Sequence, residues 1–256
     1  MGSQLHILTG ASRGLGAAMA RQLLASEGAL LCISRHVNVD LAAKADAAPA
    51  RLEQWSRDLA DALPVARQLE GWLRNIEADR FDEAVLINNA GVITRIGPVD
   101  ESADAEIASA LRVGLEAAML LTTAFLRETR TWRARREGRC KVLNISSGLG
   151  RRAMAGSAVY CAAKAGMDHF SRAVALDEAH RGAAAKIVSL APGVIDTDMQ
   201  TQLRAADAAG FPEQGLFLDL RASGQLATPD DAAARVLGYL RREDFGAHTV
   251  ADVRGP

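Results

Sequence analysis

Short apolar runs alternate with longer stretches of helical period along almost the whole chain. Strands are expected at "LHIL" (5–8), "ALLCIS" (29–34), "AVLIN" (84–88), "KVLNIS" (141–146), "KIVSLA" (186–191) and "HTVADV" (248–253). Helices are expected to begin near Leu15, Ala60, Ala103, Ala158 and Pro229. Strands that are apolar throughout and separated by helices indicate a parallel sheet covered on both faces, an α/β fold. No linker, repeat or low-complexity tract divides the chain, so one domain over 1–256 is the simplest organisation.

Two segments break the alternation. Residues 36–59 suit a weak helix and a short third strand near Glu53 to Ser56. Residues 198–231 are long and mixed, punctuated by Gly210, Pro212 and Gly215. Such a segment suits a substrate-binding lid, with a surface helical hairpin as the alternative.

Composition narrows the picture by exclusion. With 30 Lys and Arg against 31 Asp and Glu, the formal net charge of −1 gives no basic excess for nucleic acid and no acidic tail. The cysteines, Cys32, Cys140 and Cys161, form no CxxC or Cys/His pattern and suit reduced thiols of a cytoplasmic protein, without a metal. "MGSQLHILTG" runs directly into a strand, so neither a signal peptide nor a myristoylation site is expected, and no apolar stretch is expected to reach the length of a membrane span.

The first chemical signal is "TGASRGLG" (9–16), with Gly10, Gly14 and Gly16 between the first strand and the first helix. Glycines there let the chain turn sharply and let a pyrophosphate approach a helix N-terminus, whose free N–H groups and macrodipole favour anions. Glycine also serves tight turns for steric reasons alone, but a loop placed after a strand and before a helix is the context of the dinucleotide fingerprint. The second strand ends Ser34-Arg35-His36 with no carboxylate for a ribose 2′-hydroxyl, and Arg13 lies in the loop. Ser34, Arg13 and Arg35 therefore predict NADP(H) over NAD(H), the alternative being that both arginines are solvated surface charges.

The second signal is "YCAAK", in which Tyr160 precedes Lys164 by one helical turn, so that phenol and ammonium share a face. Taken alone the pair could be a surface contact. As chemistry, a cation beside a phenol of ordinary pKa near 10 favours the phenolate and brings it toward working pH. Ser147, thirteen residues earlier, closes the strand "KVLNIS", on the sheet edge where open α/β folds bind ligands.

Taken together, "TGASRGLG", "NNAG" (88–91), "SSG" with Ser147, "YCAAK" (160–164) and "PGVIDT" (192–197) resemble the short-chain dehydrogenase/reductase family in its compact form, in family order and over most of the chain. The resemblance implies a Rossmann-type doubly wound parallel sheet of about seven strands with helices on both faces. It also implies a homodimer or homotetramer built through the helices of Gly114 and Tyr160. Tyr160 would protonate a substrate carbonyl, Ser147 would hydrogen-bond the same oxygen, and Lys164 would hold the nicotinamide ribose and depress the phenol pKa. The cofactor would be lined by Gly10, Ser12, Arg13, Gly14, Leu15 and Gly16. Asn89, Ala90 and Gly91 would meet the adenosine ribose, and Asp58 with Leu59 the adenine. Pro192 and Gly193 would lead into Ile195 and Thr197, at the carboxamide and pyrophosphate.

One position departs from the family pattern: Gly114, in "LRVGLEAAM", stands where many members carry an asparagine whose carbonyl is held to anchor a water linked to the lysine. A glycine keeps the carbonyl in a looser helix. The C-terminal third resembles the branch containing sepiapterin reductase and bacterial benzil reductases, which implies a small carbonyl substrate, a bulky ketone or vicinal diketone. Val250 falls where a pterin-anchoring carboxylate is expected, with Asp252 displaced, which disfavours a pterin. A catalytically weak NADP-binding sensor is the alternative from another class. An extended-family epimerase is disfavoured for want of a substrate domain.

Overall fold

The computed structural model describes residues 2–133, 139–181 and 184–255. The strands are β1 (Gln4–Thr9), β2 (Gly28–Ser34), β3 (Ala50–Ser56), β4 (Glu83–Asn88), β5 (Cys140–Ile145), β6 (Lys186–Ala191) and β7 (Val250–Asp252). They form one seven-stranded sheet in the order β3-β2-β1-β4-β5-β6-β7, and every pairing is parallel. The order reverses beside β1, and a crevice opens there at the carboxyl ends of the strands. The α/β doubly wound sheet read from the sequence is the architecture observed.

Helices α1 (Gly14–Leu24), α2 (Val39–Ala45) and α10 (Pro229–Leu240) lie on one side, and α3 (Ala62–Arg74), α5 (Ala117–Glu128) and α7 (Ala158–Ala179) on the other. Alternation along the strands divides the core. Leu8, Cys32, Ile87 and Leu143 face α1 and α10, whereas Ile7, Ile33, Leu86 and Val142 face α3 and α5. Each fully buried aliphatic side chain contributes about 1.5–3 kcal/mol.

Several expected boundaries shift. The third strand starts at Ala50, earlier than expected, because pairing along the whole of β2 holds Arg51 and Leu52 in register with Ala29 and Leu30. The last strand shrinks to Val250–Asp252, pairing only with Ser189 to Ala191 at the sheet edge. The weak helix is α2, capped by Asn38, whose side chain accepts from the Leu41 amide at 3.0 Å.

The region beginning near Ala103 is α4 (Asp104–Leu111), a π-type turn (Arg112–Glu116) and then α5, with Gly114 buried in the π turn. Joined end to end, residues Asp104–Glu128 are long and apolar enough to cross a membrane, which corrects the expectation that no stretch would be. Their apolar face packs on the sheet through Ala117, Leu121, Ala124 and Phe125. The remaining helices are α6 (Arg130–Arg133), α8 (Asp198–Ala205) and α9 (Gln214–Ala222). The last two occupy the segment expected as a lid or hairpin, held by a satellite cluster of Met154, Leu203, Phe211 and Phe217.

Candidate active site

The glycine loop is clamped from β4. Thr9 Oγ1 accepts from the amides of Asn89 and Ala90 at 2.9 and 3.0 Å, and Asn89 Nδ2 donates to the carbonyls of Thr9 and Gly10 at 3.0 and 3.2 Å. Gly10 has φ +69°, and a Cβ on Gly16 would lie 2.0 Å from the Gly10 carbonyl oxygen, so neither position accepts a side chain. Arg13, the N-cap of α1, makes no side-chain cap bond, leaving the first-turn N–H groups open at the cleft. This combination fits a pyrophosphate.

The expected phosphate pocket is arranged differently in part. The Ser34 hydroxyl accepts from the Ala11 amide at 2.9 Å, and Arg13 pairs with Asp198 at 2.8 Å. Ser34 and Arg13 are thus engaged within the chain, because the loop folds back on β2 and α8 begins opposite it. Arg35 is exposed and makes no side-chain hydrogen bond or ion pair among the described residues. Beside it stands Arg57, which the sequence reading missed, steadied by Gln68 and the Ser56 carbonyl at 2.8 Å each. Asp58 accepts from the Ala60 amide at 2.9 Å.

Every residue expected at the site, from Gly10 and Ser12 through Tyr160 to Thr197, lines one cleft of about 830 Å³. Ser147 follows β5 and caps a short turn, its Oγ accepting from the Leu149 amide at 3.2 Å. Tyr160 and Lys164 stand on the first turns of α7. The ammonium lies 5.7 Å from the phenol ring centroid and donates to the Ile145 carbonyl at 2.7 Å. One turn beyond, the buried Asp168 accepts from Ser146 and Ser189 at 2.6 and 2.7 Å and faces Arg151 Nε at 3.5 Å.

The electrostatics correct one expectation. Burial pushes the Tyr160 phenol up to about 12, against a hydrogen bond with Ser147, and the Lys164 cation does not offset it. Burial also pulls Lys164 down to about 8, with Asp168 acting in the opposite direction. Desolvation outweighs the expected acidification because both groups sit deep in the same cleft.

Behind these residues a buried chain of amides joins the layers. Asn88 Nδ2 donates to Asn144 at 2.8 Å and to Thr122 at 3.0 Å, and Asn144 Nδ2 donates to Ser171 at 2.9 Å. These links tie β4 and β5 to α5 and α7, fixing the helix that carries Tyr160. Asp168 had a sequence signal, lying four residues after Lys164; Gln200, on the opposite wall, had none.

The far end of the cleft is apolar, walled by Ile93, Leu149, Leu203, Phe217 and Leu220. Phe211 stacks on Phe217 with centroids 5.6 Å apart. Arg152 and Gln200 line the same region. Asp252 pairs with Arg254 at 2.7 Å, and neither Val250 nor Asp252 lines the cleft. Cys161 is half-buried and packs against the apolar cluster.

The chain matches the short chain dehydrogenase family over residues 4–208. It is 33% identical over 239 residues to benzil reductase ((S)-benzoin forming) of Bacillus cereus, covering 93% of this chain and 94% of that protein. It is 30% identical over 263 residues to sepiapterin reductase of Rattus norvegicus, covering 97% and 96%. A metagenomic short-chain oxidoreductase solved in complex with NADP superimposes with a TM-score of 0.69 at 26% identity, covering 98% of this chain and 96% of that one. With the parallel sheet, the glycine loop and the shared cleft, these likenesses identify the chain as a member of the short-chain dehydrogenase/reductase family, oxidoreductases acting on CH–OH and C=O groups.

Proposed function

We propose that this protein is an NADPH-dependent carbonyl reductase that acts on a bulky ketone or a vicinal diketone. The observation that carries the reading is the convergence of Ser147, Tyr160 and Lys164 in a cleft continuous with the glycine loop at one end and an apolar chamber at the other. Likeness to benzil reductase over nearly the full length supports the diketone. Arg35 and Arg57 support NADP, since a 2′-phosphate is met by arginine where a 2′-hydroxyl is met by a carboxylate.

A bound reduced nicotinamide supplies the hydride. The Ser147 hydroxyl donates to the carbonyl oxygen and polarises it, and Tyr160 delivers the proton that the oxygen needs. A phenol pushed up to about 12 stays protonated at neutral pH, which suits a proton donor that yields only to a developing alkoxide. Lys164 keeps one N–H on Ile145, leaving the rest of the ammonium for the ribose hydroxyls. The α8–α9 segment covers the chamber as a lid, and the exposed Met119 and Leu176 on α5 and α7 suit a homodimer or homotetramer. Three unpaired thiols suit a reducing, cytoplasmic setting.

The test is NADPH absorbance with benzil, an aliphatic 1,2-dione and sepiapterin. Benzil and the dione are expected to be consumed, and Tyr160→Phe is expected to lose at least a hundredfold in kcat. NADPH binding without turnover of any carbonyl, or a Tyr160→Phe variant at the wild-type rate, would overturn the reading.

A further inference from the structure

We infer that Arg151 is a positioning residue for Ser147: paired with the buried Asp168 and tied to the last strand, it fixes the turn that aims the Ser147 hydroxyl beside Tyr160. The inference rests on the role given to Ser147 above and adds a residue that the reaction needs at one remove from the substrate.

Asp168 grips the chain on both sides of Ser147. On one side its Oδ1 accepts from the Ser146 hydroxyl at 2.6 Å. On the other its Oδ2 faces Arg151 Nε at 3.5 Å. That oxygen is buried and has no hydrogen bond among the described residues, so the guanidinium beside it supplies compensating charge. Arg151 Nη2 also donates to the Ala251 carbonyl of β7 at 3.0 Å. One side chain thereby joins the Ser147 turn to α7 and to the sheet edge, a two-point hold suited to the guanidinium fork.

The turn sits tightly in this seat. A Cβ on Gly150 would lie 2.8 Å from Asp168 Oδ2 and 2.9 Å from the Lys164 carbonyl oxygen, so the backbone rests directly on α7, one helical turn beyond Tyr160. Within the turn the Gly150 amide donates to the Ser147 carbonyl at 3.0 Å and the Arg151 amide to the Gly148 carbonyl at 3.1 Å. The Leu149 amide donates to Ser147 Oγ at 3.2 Å, which takes up a lone pair and leaves the hydroxyl proton for the cleft. A turn that drifts off α7 carries Leu149 with it and redirects that proton. Ser147 and Arg152 line the cleft and Arg151 does not, so its contribution is to placement. Small misplacements of a reacting group are costly in rate, because catalysis depends on geometry set before the reaction.

The experiment is a double-mutant cycle between Arg151→Met and Ser147→Ala, read as NADPH consumption with benzil. Arg151→Met keeps the apolar stem and is expected to lower kcat about tenfold with KM for NADPH little changed. Ser147→Ala is expected to lower kcat about a hundredfold, and adding Arg151→Met to it should cost less than about twofold more, because the group being positioned is gone. Arg151→Lys, which restores a cation opposite Asp168, should regain part of the lost rate. Thermal melting checks the fold, and Arg151→Gln replaces the methionine variant should it not fold. An unchanged kcat in the folded variant, a loss confined to KM for NADPH, or a loss that persists in full beside Ser147→Ala overturns the role of Arg151 and leaves the reductase reading intact. Ser147→Ala at the wild-type rate, or wild-type protein that consumes NADPH with neither benzil nor an aliphatic 1,2-dione, overturns that reading and this assignment with it.

Discussion

Asp168 is the most exposed test of the electrostatics, because one buried carboxylate holds two strands to α7 and supports the charge on Lys164. It is 1% exposed and accepts from Ser146 and Ser189 at 2.6 and 2.7 Å, with Arg151 at 3.5 Å. Hydrogen bonds to a charged group contribute about 1.5–3 kcal/mol each. Asp168→Ala leaves both hydroxyls without that acceptor, so a loss of roughly 3–5 kcal/mol in unfolding free energy is expected. Asp168→Asn keeps an acceptor oxygen for both hydroxyls and removes the charge, so its stability loss should be about half as large.

The charge matters separately. Lys164 sits at about 8 with Asp168 favouring the cation, so neutralising Asp168 moves the lysine further down. A base of lower pKa loses its proton at lower pH. The fall of kcat/KM on the alkaline side should therefore shift toward acid by about one pH unit in Asp168→Asn. Urea unfolding and the pH profile of NADPH consumption measure the two effects. An asparagine variant with the wild-type profile would refute the electrostatic link, and an alanine variant as stable as wild type would refute the account of the hydrogen bonds.

Two further outcomes follow from other residues. Burial lowers His6 from 6.5 to about 4, so the unfolded chain binds the proton first as pH falls. Stability should be complete above pH 6.5 and decline by about 3 kcal/mol on the way to pH 4, and His6→Leu should flatten that slope in urea titrations; an unchanged slope would remove His6 from the account. Arg35 is exposed and unpaired among the described residues, so Arg35→Asp should reverse the preference for NADPH over NADH by at least tenfold in kcat/KM with little change in melting temperature. Retained preference would move the phosphate-selective contact to Arg57.

What the chain determined by itself is whatever depends on short spacing. Apolar strands alternating with helical stretches imply the doubly wound sheet, since only a parallel sheet covered on both faces buries such strands. Glycines at 10, 14 and 16 imply the turn, and four residues between Tyr160 and Lys164 imply a shared face. Tertiary structure decided everything that depends on who stands opposite. Arg13 was legible as a cation, but only the placement of α8 assigns Asp198 to it, while Arg35 stays unpaired among the described residues at the same cleft. The spacing of Tyr160 and Lys164 was legible, but the depth of the cleft pushes the Tyr160 phenol up, contrary to the expected acidification, and pulls Lys164 down, a shift no spacing indicates. The buried Oε1 of Gln200, without a partner among the described residues, carried no signal in local spacing, because pairing there is decided by segments distant in the chain. Local spacing is set by backbone geometry, whereas desolvation and pairing are set by contacts between residues far apart in the chain, and these exist only once it has folded.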